Sequence, residues 1–368
     1  MMRTQIPAFR LPETVLDEEV NYILDMGVHT HFNTFVGSMK GILDKNYDAV
    51  FVGTGAPKGR ALRIPGYEEA KENIHIGIEF LAGVAFEHRE SIGKKVIVLG
   101  GGNTAMDCCR TSKRIGGEEV TVVVRSPRKD MKASPWEIED AESEDIAIFN
   151  NMPPKEFVVE NGKLKGITFG KVRAEYDENG KRSLIPTGEP DVFIEADDVI
   201  IAIGQDNAFP WIEKDLGIEF GKWEVPVLDK VTFQSTLPHV FFGGDAAFGP
   251  ENVITAVAHG HQAAVSIDLF CKGESLNDRP DPMTNLVSQK MGIHEWTYDN
   301  DVVADLRYQV AHADKSVTLK DRKMEVELGF DHIEGFKEAQ RCLNCDVQTV
   351  FTTNLCIECD ACVDICPT

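Results

Sequence analysis

The sequence predicts an α/β protein with a cysteine-rich C-terminal segment. A strand–turn–helix–strand pattern begins near residue 95, a second α/β region covers residues 197–270, and six cysteines fall within the last 27 residues. Alternating strands and helices are typical of a parallel sheet with crossover helices. With 368 residues, the chain has room for two domains and part of a third.

The first 60 residues are expected to run in the order helix, strand, strand. An amphipathic helix is predicted over Glu13–Met26, with Gly27 as its stop. A short apolar strand follows at Tyr47–Val52 and ends in Gly53-Thr54-Gly55.

The central region contains the clearest βαβ unit. Strands are predicted over Lys95–Leu99 and Val120–Arg125, with a helix over Thr104–Ile115 between them. Two hairpins are then expected around Asn161-Gly162 and Glu178-Asn179-Gly180, because Asn-Gly favours tight turns.

The later α/β region is expected to contain two strands and a long helix. The strands are predicted over Asp198–Ile203 and Val240–Phe242, and the helix starts near Glu251. Residues 272–340 are polar and weakly patterned, so we expect a connector that wraps the surface.

The charge balance limits the classes of partner. The formal net charge is −22 and there is no long basic run, which disfavours a nucleic-acid ligand. The acidity serves solubility or steers a basic partner, and the sequence leaves both open. There is no apolar stretch of about 18 residues and no secretory leader pattern, so we expect a cytoplasmic protein without a membrane span.

The cysteine tail has the spacing of an iron–sulfur site. Four cysteines and a proline follow the pattern C-x2-C-x2-C-x3-C-P of bacterial-type 4Fe–4S ferredoxins. Structural zinc favours two separated C-x2-C pairs, so iron–sulfur ligation is the favoured interpretation. With the two cysteines that precede this run, the predicted metal ligands are Cys342, Cys345, Cys356, Cys359, Cys362 and Cys366.

The number of clusters stays open at this point. Two all-cysteine cubanes need about eight thiolates, and the tail has six. One 4Fe–4S cluster is therefore predicted, and a second is not excluded. The remaining cysteines, Cys108, Cys109 and Cys271, are expected to be small packed residues.

A dinucleotide-binding turn of the form G-x-G-x-x-A lies between the central strand and its helix. Gly100 allows a tight turn, Gly102 lets a pyrophosphate approach the backbone, and Ala105 keeps helix and strand close. Asn103 and Thr104 open the helix, whose N-terminus would face the phosphates. A purely structural glycine turn is the less favoured alternative.

Coenzyme choice depends on the end of the next strand. An acidic residue there would hold the ribose 2′-hydroxyl of NAD, but the sequence has Arg125, with Arg128 close by. Arginine suits the 2′-phosphate of NADP, so these two residues are its candidate ligands. A solvated basic turn is the alternative, and NADH stays open.

Several motifs together resemble the glutamate synthase small-subunit family of flavin oxidoreductases. The resemblance is carried by Arg10-Leu11-Pro12, Gly53–Ala56, the Gly100–Asp107 turn and Thr236–Ala264. It implies a flavoprotein with two dinucleotide-binding domains, in which an NAD(P)H domain interrupts the FAD domain, plus a small ferredoxin-like 4Fe–4S tail. The implied cofactors are FAD, NAD(P)H and the 4Fe–4S cluster.

The resemblance also implies a division of the chain. Residues 1–60 and 191–271 would form a partial FAD-binding domain, and residues 61–190 the NAD(P)H-binding domain. Residues 272–340 would be the connector, and residues 341–368 the 4Fe–4S segment.

Contacts to FAD are implied at two places. Asp245, which follows Gly244, would bind the ribityl chain, and Thr54 and Gly55 would lie close to the flavin. The helix near Glu251, with Ile254 in its first turn, would aim its N-terminal amides at the isoalloxazine. There a helix dipole stabilises the negative charge of a reduced flavin.

Two features depart from the family pattern. Members bind the FAD pyrophosphate with a G-x-G-x-x-G unit that precedes the Arg10-Leu11-Pro12 segment. This sequence begins too late to contain that unit, so we expect a shortened form or a second chain that supplies it. Many NADPH-dependent members also carry paired arginines after the second strand of the nucleotide unit, whereas here Arg125 is followed by Ser126.

The implied reaction is hydride transfer from nicotinamide to flavin, followed by single-electron steps through the cluster to a partner, or the reverse. The partner would be a larger oxidoreductase subunit or a ferredoxin-like electron carrier. This chemistry requires no catalytic side chain, and none is assigned. Structural roles are expected for the four histidines His29, His31, His259 and His261.

Two other functions compete with this interpretation. Thiol–disulfide exchange needs a C-x-x-C near the flavin, but Cys108 and Cys109 are adjacent and lie in the nucleotide helix, so it is rejected. A non-flavin iron–sulfur relay or docking subunit stays an alternative, because the sequence lacks the main FAD anchor. Flavin content separates it from the oxidoreductase.

Overall fold

The computed structural model describes residues 2–279 and 307–340. The chain divides into two compact units. The larger unit contains the residues up to Asp278 together with His312–Glu327, and the smaller contains Arg279–Ala311 and Leu328–Thr368.

The larger unit alternates helices and strands. Its described helices are α1 (Glu13–Leu24), α2 (Met39–Leu43), α3 (Gly77–Ala85), α4 (Asn103–Arg114), α5 (Pro135–Ser143), α6 (Asp245–Phe248), α7 (Val253–Lys272) and α8 (Lys315–Thr318). Its described strands are β1 (Val50–Val52), β2 (Lys58–Gly59), β3 (Ile74–Ile76), β4 (Lys95–Leu99), β5 (Glu119–Val123), β6 (Ala147–Phe149), β7 (Pro154–Glu160), β8 (Lys163–Phe169), β9 (Val172–Tyr176), β10 (Arg182–Pro186), β11 (Val192–Glu195), β12 (Asp198–Ile201), β13 (Gln205–Asp206) and β14 (Val240–Phe242). The described part of the smaller unit contains α9 (His332–Ala339), whose first amides are capped by the Asp331 carboxylate.

A five-stranded parallel sheet forms the centre of the larger unit, in the order β3-β12-β4-β5-β6. Alternate residues of β4 are buried on opposite faces: Val96 and Val98 pack with α3, α4 and α5, while Ile97 and Leu99 pack with the antiparallel sheet β11-β8-β7. A strand covered on both faces is apolar throughout, which explains the unbroken run in the sequence. We call this sheet with its helices and antiparallel cover the central-sheet region.

The second part of the larger unit is built on fewer strands. Strand β1 pairs in parallel with β14, with Val52 opposite Phe242, over a core that includes Met39 and Phe209. Strands β2 and β13 pair where the chain enters and leaves the central-sheet region. Because β1 and β14 flank that region in sequence, one α/β region interrupts the other, as the sequence predicted. We call the pair, with α2 and the preceding residues 25–38, α6 and α7, the β1–β14 region.

The expected elements are present, with bounds shifted at six of them, namely α1, β1, α4, β5, β12 and α7. Strand β1 begins at Val50 rather than Tyr47, because its partner β14 offers three residues for pairing. Strand β5 ends at Val123, so Arg125 lies in a loop. Helix α7 begins at Val253, because the Asn252 side chain accepts the Thr255 amide at 2.8 Å and caps the helix.

Both predicted hairpins are confirmed. Strands β7 and β8 meet at Asn161-Gly162, where both residues have positive φ, +53° and +74°. Strands β9 and β10 pair with Tyr176 opposite Arg182, on either side of the predicted second turn.

A network of buried charges crosses the helical face of the central-sheet region. The Arg10 guanidinium donates to Asp107 of α4 at 2.6 Å and also to Glu137 of α5. Arg110 donates to Asp140 at 2.9 Å and to Glu144 at 3.0 Å. The carboxylates outnumber the guanidiniums in this network, whose members are Arg10, Asp107, Arg110, Arg114, Glu137, Asp140 and Glu144.

Two buried carboxylates of this network have raised pKa values. Burial raises the pKa of Glu137 to about 7, although Arg10 acts in the opposite direction. Burial also raises the pKa of Asp107. The Phe9 ring lies 3.8 Å from the Arg114 guanidinium and closes one side of the network.

Candidate functional site

The glycine turn has the geometry that nucleotide binding needs. Gly100 has φ +143°, and a Cβ there would lie 2.2 Å from the Ala202 carbonyl oxygen, so the position requires glycine. Beside Gly102 there is open space, since a Cβ would meet no atom within 4 Å. No side chain caps the N-terminus of α4, and Ala105 is fully buried. The turn therefore exposes backbone amides at a helix N-terminus, where an anionic phosphate is favoured.

The loop after β5 is fastened to this turn. The amides of Lys132 and Ala133 donate to the Gly101 carbonyl at 2.8 and 2.9 Å. The Asn103 side chain accepts the Ser134 amide at 2.9 Å. Asn103, a predicted cofactor residue, thus holds the loop with its side-chain oxygen. Sequence reasoning missed these contacts because the partners are about thirty residues away in the chain.

A small cleft extends from the first turn of α4 along the carboxyl ends of β3 and β12. Open sheets of this kind bind ligands outside the carboxyl ends of their strands. Of the residues that line this cleft, the sequence analysis predicted Thr104. It did not predict those that lie in or next to β2, β3, β12 and β13. The cleft is lined by Thr104, Gly59, Ile76, Gly77, Ile78, Ile201, Ala202, Gly204 and Gln205.

The two arginines predicted for a 2′-phosphate differ in their surroundings. Arg128 is bound to Glu142 through both terminal nitrogens, at 2.5 and 2.8 Å, and this hydrogen bonding raises its pKa. Arg125 is exposed and forms no ion pair within residues 2–279 and 307–340. The exposed Lys132 side chain likewise has no ion-pair partner among the described residues, and sequence reasoning did not single it out.

The predicted flavin contacts gather at one edge of the β1–β14 region. Because β1 and β14 are parallel, Gly53–Gly55 and Gly243–Asp245 leave the sheet at the same end. Thr54 is exposed, and Gly55 has φ +73° with open space beside it. At this edge, no side chain fills the space directly beside Gly55.

Asp245 begins α6 at this edge, directly after Gly244 with φ +59°. Its carboxylate accepts the Glu251 amide at 3.1 Å, and burial raises its pKa. Ile254, in the first turn of α7, is 80% exposed. The neighbouring His259 ring packs against Phe233, and its Nδ1 is buried without a hydrogen-bond partner among the described residues.

Three of the nine cysteines lie among the described residues. Cys108 and Cys109 are buried in α4, as expected, and burial raises the pKa of both thiols, which makes them poor nucleophiles. Cys271 is exposed, so its prediction as a packed residue is wrong. The six predicted cluster ligands, Cys342, Cys345, Cys356, Cys359, Cys362 and Cys366, lie outside the described residues.

The interrupted α/β fold and the open glycine turn define a dinucleotide-binding oxidoreductase. The sequence matches the family described as pyridine nucleotide-disulphide oxidoreductase over residues 17–260, and the chain belongs to this family. No helix within the described ranges is long and apolar enough to span a bilayer.

Curated relatives cover nearly the whole chain. The NADP(+)-dependent formate dehydrogenase subunit beta of Moorella thermoacetica is 34% identical and matches 94% of this chain and 49% of its own length. The NADPH-Fe(3+) oxidoreductase subunit beta of Geobacter sulfurreducens is 31% identical over 94% of this chain and 55% of its own. The chain thus spans about half the length of these relatives.

The predicted resemblance to the glutamate synthase small subunit is confirmed. The glutamate synthase (NADPH) small chain of Escherichia coli is 32% identical over 71% of this chain and 59% of its own length. Among solved structures, FprA of Mycobacterium tuberculosis in complex with NADPH has a TM-score of 0.59 at 18% identity, over 79% of this chain and 76% of its own. This likeness supports the fold.

Proposed function

We propose that the chain is an NADPH-linked flavin and iron–sulfur electron-transfer oxidoreductase subunit. The observation that carries this proposal is the open space beside Gly102 at the uncapped N-terminus of α4. Relatives named for NADP(+) or NADPH support the choice of coenzyme. The exposed Arg125, in the loop that follows β5, supports the same choice.

Both backbone amides and side chains would bind the coenzyme. Gly100 and Ala105 shape the turn, Gly102 and the amide of Thr104 meet the pyrophosphate, and Arg125 meets the 2′-phosphate. Asn103 keeps the loop after β5 against the turn through Ser134. Arg128 would contribute after release from Glu142.

The residues of the β1–β14 region fit an FAD site. Thr54, Gly55, Gly244, Asp245 and Ile254 would line it, with the amide end of α7 favouring negative charge on the bound group. When bound, FAD supplies the step from a two-electron hydride donor to single-electron carriers.

The cysteine tail would supply the single-electron carrier. Its six cysteines provide ligands for one 4Fe–4S cluster and leave two beyond that set. The domain division follows: a discontinuous FAD part over residues 1–60 and 191–271, an NADPH part over 61–190, a connector over 272–340 and a cluster segment over 341–368.

The partner would be a larger oxidoreductase subunit or a ferredoxin-like carrier in the cytoplasm. The relatives, which are named as beta subunits and small chains, support a larger partner subunit.

Cofactor analysis of the whole chain tests the proposal. We expect anaerobically purified protein to release FAD in near-stoichiometric amount, to contain iron and sulfide, and to lose its flavin absorbance on addition of NADPH. Cys359→Ser should lower the iron content and leave the flavin, and Thr54→Ala serves as a control that keeps the iron. Iron without flavin, also after incubation with FAD, would contradict the proposal and favour an iron–sulfur relay.

A further inference from the structure

The β9–β10 hairpin reaches the loop that follows β5. The Tyr176 hydroxyl donates to Asp130 Oδ2 at 2.5 Å, and Arg182 donates to the same oxygen at 2.9 Å. The Lys129 ammonium lies 4.1 Å from the centroid of the Tyr176 ring. Two hairpin residues and two loop residues thus form one cluster, although the sequence separates them by about fifty positions.

This cluster is mechanically linked to the nucleotide turn. Asp130 lies two residues before Lys132, whose amide is bound to the Gly101 carbonyl at 2.8 Å. The hairpin, the loop and the glycine turn are therefore held in fixed relation by successive hydrogen bonds. In a dinucleotide-binding βαβ unit, the end of the second strand is where the adenosine ribose is recognised.

The charges of this cluster favour a phosphate over a ribose hydroxyl. Arg128 is neutralised by Glu142. Asp130 is the acidic residue of the loop between Val124 and Ser134, and the hydrogen bond from Tyr176 and then that from Arg182 lower its pKa. Its Oδ2 accepts both donors, and the ion pair with Arg182 offsets its negative charge.

Arg182 keeps donors available beyond its bond to Asp130. One terminal nitrogen of its guanidinium binds Asp130, while a guanidinium carries five N–H groups in a planar fork. The Arg182 side chain is 28% exposed, so the rest of the fork is accessible from solution. The carboxylate of Asp130, which also accepts the Tyr176 hydroxyl, holds this fork in one orientation.

We propose that the β9–β10 hairpin carries a specificity-determining residue, Arg182, which recognises the 2′-phosphate of NADPH together with Lys129. This inference rests on the proposed NADPH-linked function and extends the phosphate site from the loop after β5 to the hairpin. Asp130 and Tyr176 act as positioning residues for the guanidinium.

The test measures binding of NADP+ and NAD+ to the full chain by calorimetry, which requires no turnover. We expect Arg182→Gln to weaken NADP+ binding about tenfold, the effect of losing one charge-assisted contact, and to change NAD+ binding less than about twofold. Arg173→Gln is the matched control, because Arg173 lies on the same hairpin and pairs with its neighbour Glu175 at 2.9 Å. It should leave both affinities unchanged.

A second variant guards against misfolding of the hairpin. Lys129→Met leaves the Asp130–Arg182 pair in place and should weaken NADP+ binding about threefold while sparing NAD+. An NADP+ preference retained in both Arg182→Gln and Lys129→Met overturns the inference but leaves the NADPH-linked function standing. If wild-type protein binds neither coenzyme, the proposed function itself fails. Equal binding of NAD+ and NADP+ by wild-type protein also overturns the inference.

Discussion

The central-sheet region and the β1–β14 region belong to one unit but are stabilised differently. The first has five parallel strands covered on both faces and buried ion pairs such as Arg110 with Glu144. The second pairs two strands and exposes large apolar side chains, including Phe35 at 92% and Ile254 at 80%. The glycine turn is therefore held by hydrogen bonds from other parts of the central-sheet region. The residues predicted to contact the flavin lie on an open edge of the β1–β14 region.

The largest effect is expected where the central-sheet region buries charge. Arg110 is 1% exposed, and its removal in Arg110→Met leaves Asp140 and Glu144 without their shared cation. We expect the free energy of unfolding to fall by about 3 to 5 kcal/mol, measured by denaturant titration.

A surface ion pair of the β1–β14 region provides the control. Lys272 and Asp268 on α7 are both more than half exposed, at 56% and 60%. Lys272→Met should change the free energy of unfolding by less than about 0.5 kcal/mol. Equal losses for the two variants would show that the buried network contributes no more than a surface pair.

Two glycines of the nucleotide turn are expected to affect different properties, one the stability of the protein and the other its coenzyme binding. Gly100→Ala places a methyl group 2.2 Å from the Ala202 carbonyl oxygen in a backbone with φ +143°. This should cost about 2 to 4 kcal/mol of stability, seen as a lower melting temperature.

Gly102→Ala is the matched variant, because its methyl group meets no protein atom within 4 Å and φ is −105°. Its stability should stay within about 0.5 kcal/mol of wild type, while NADP+ binding weakens at least about tenfold as the methyl group occupies the pyrophosphate position. Undiminished NADP+ binding by Gly102→Ala would remove the turn from the coenzyme site.

A smaller, pH-dependent effect is expected at Glu137. Its pKa is raised to about 7 from an ordinary value of 4.5, mainly by burial, so the folded protein holds a proton that the unfolded chain releases. The contribution to stability is therefore complete below the unfolded pKa and is lost as pH rises through about 7. Asp107, whose pKa burial also raises, acts in the same direction.

Glu137→Gln removes this proton linkage. Relative to wild type, its stability should rise by about 1 to 3 kcal/mol between about pH 5 and about pH 8, followed by thermal unfolding across that range. Glu142→Gln is the contrast, because hydrogen bonding to Arg128 lowers the pKa of the exposed Glu142. Its difference from wild type should stay level across this range, and a slope like that of Glu137→Gln would point to a general charge effect.

The same comparison shows what the sequence could and could not reveal. The glycine turn was predictable because Gly100, Gly102 and Ala105 lie within six residues and form the G-x-G-x-x-A pattern between a strand and a helix. The supports of that turn were not, because Ala202 and Lys132 reach it only through tertiary folding. Likewise, an arginine was predictable near the end of β5.

In the loop after β5, some basic side chains are paired with carboxylates and others, without an ion pair in the described part of the chain, are free to bind a phosphate. This difference depends on partners elsewhere in the sequence. Glu142 binds Arg128, and Asp130 binds Arg182 of the hairpin. Residue type and spacing carry no information about such pairings. The strand bounds show the same limit, since β1 is short because β14 is short.

The smallest effect is expected on the open side of the β1–β14 region. Phe35 is 92% exposed, so Phe35→Ser removes little packed surface and should change the free energy of unfolding by less than about 0.5 kcal/mol. Phe80, which is 3% exposed in α3, provides the comparison, and Phe80→Ser should cost more than about 3 kcal/mol. Denaturant titration of both variants measures the contrast directly. A loss above about 1 kcal/mol for Phe35→Ser would show that its ring packs against protein in solution, and this side of the β1–β14 region would then not be open.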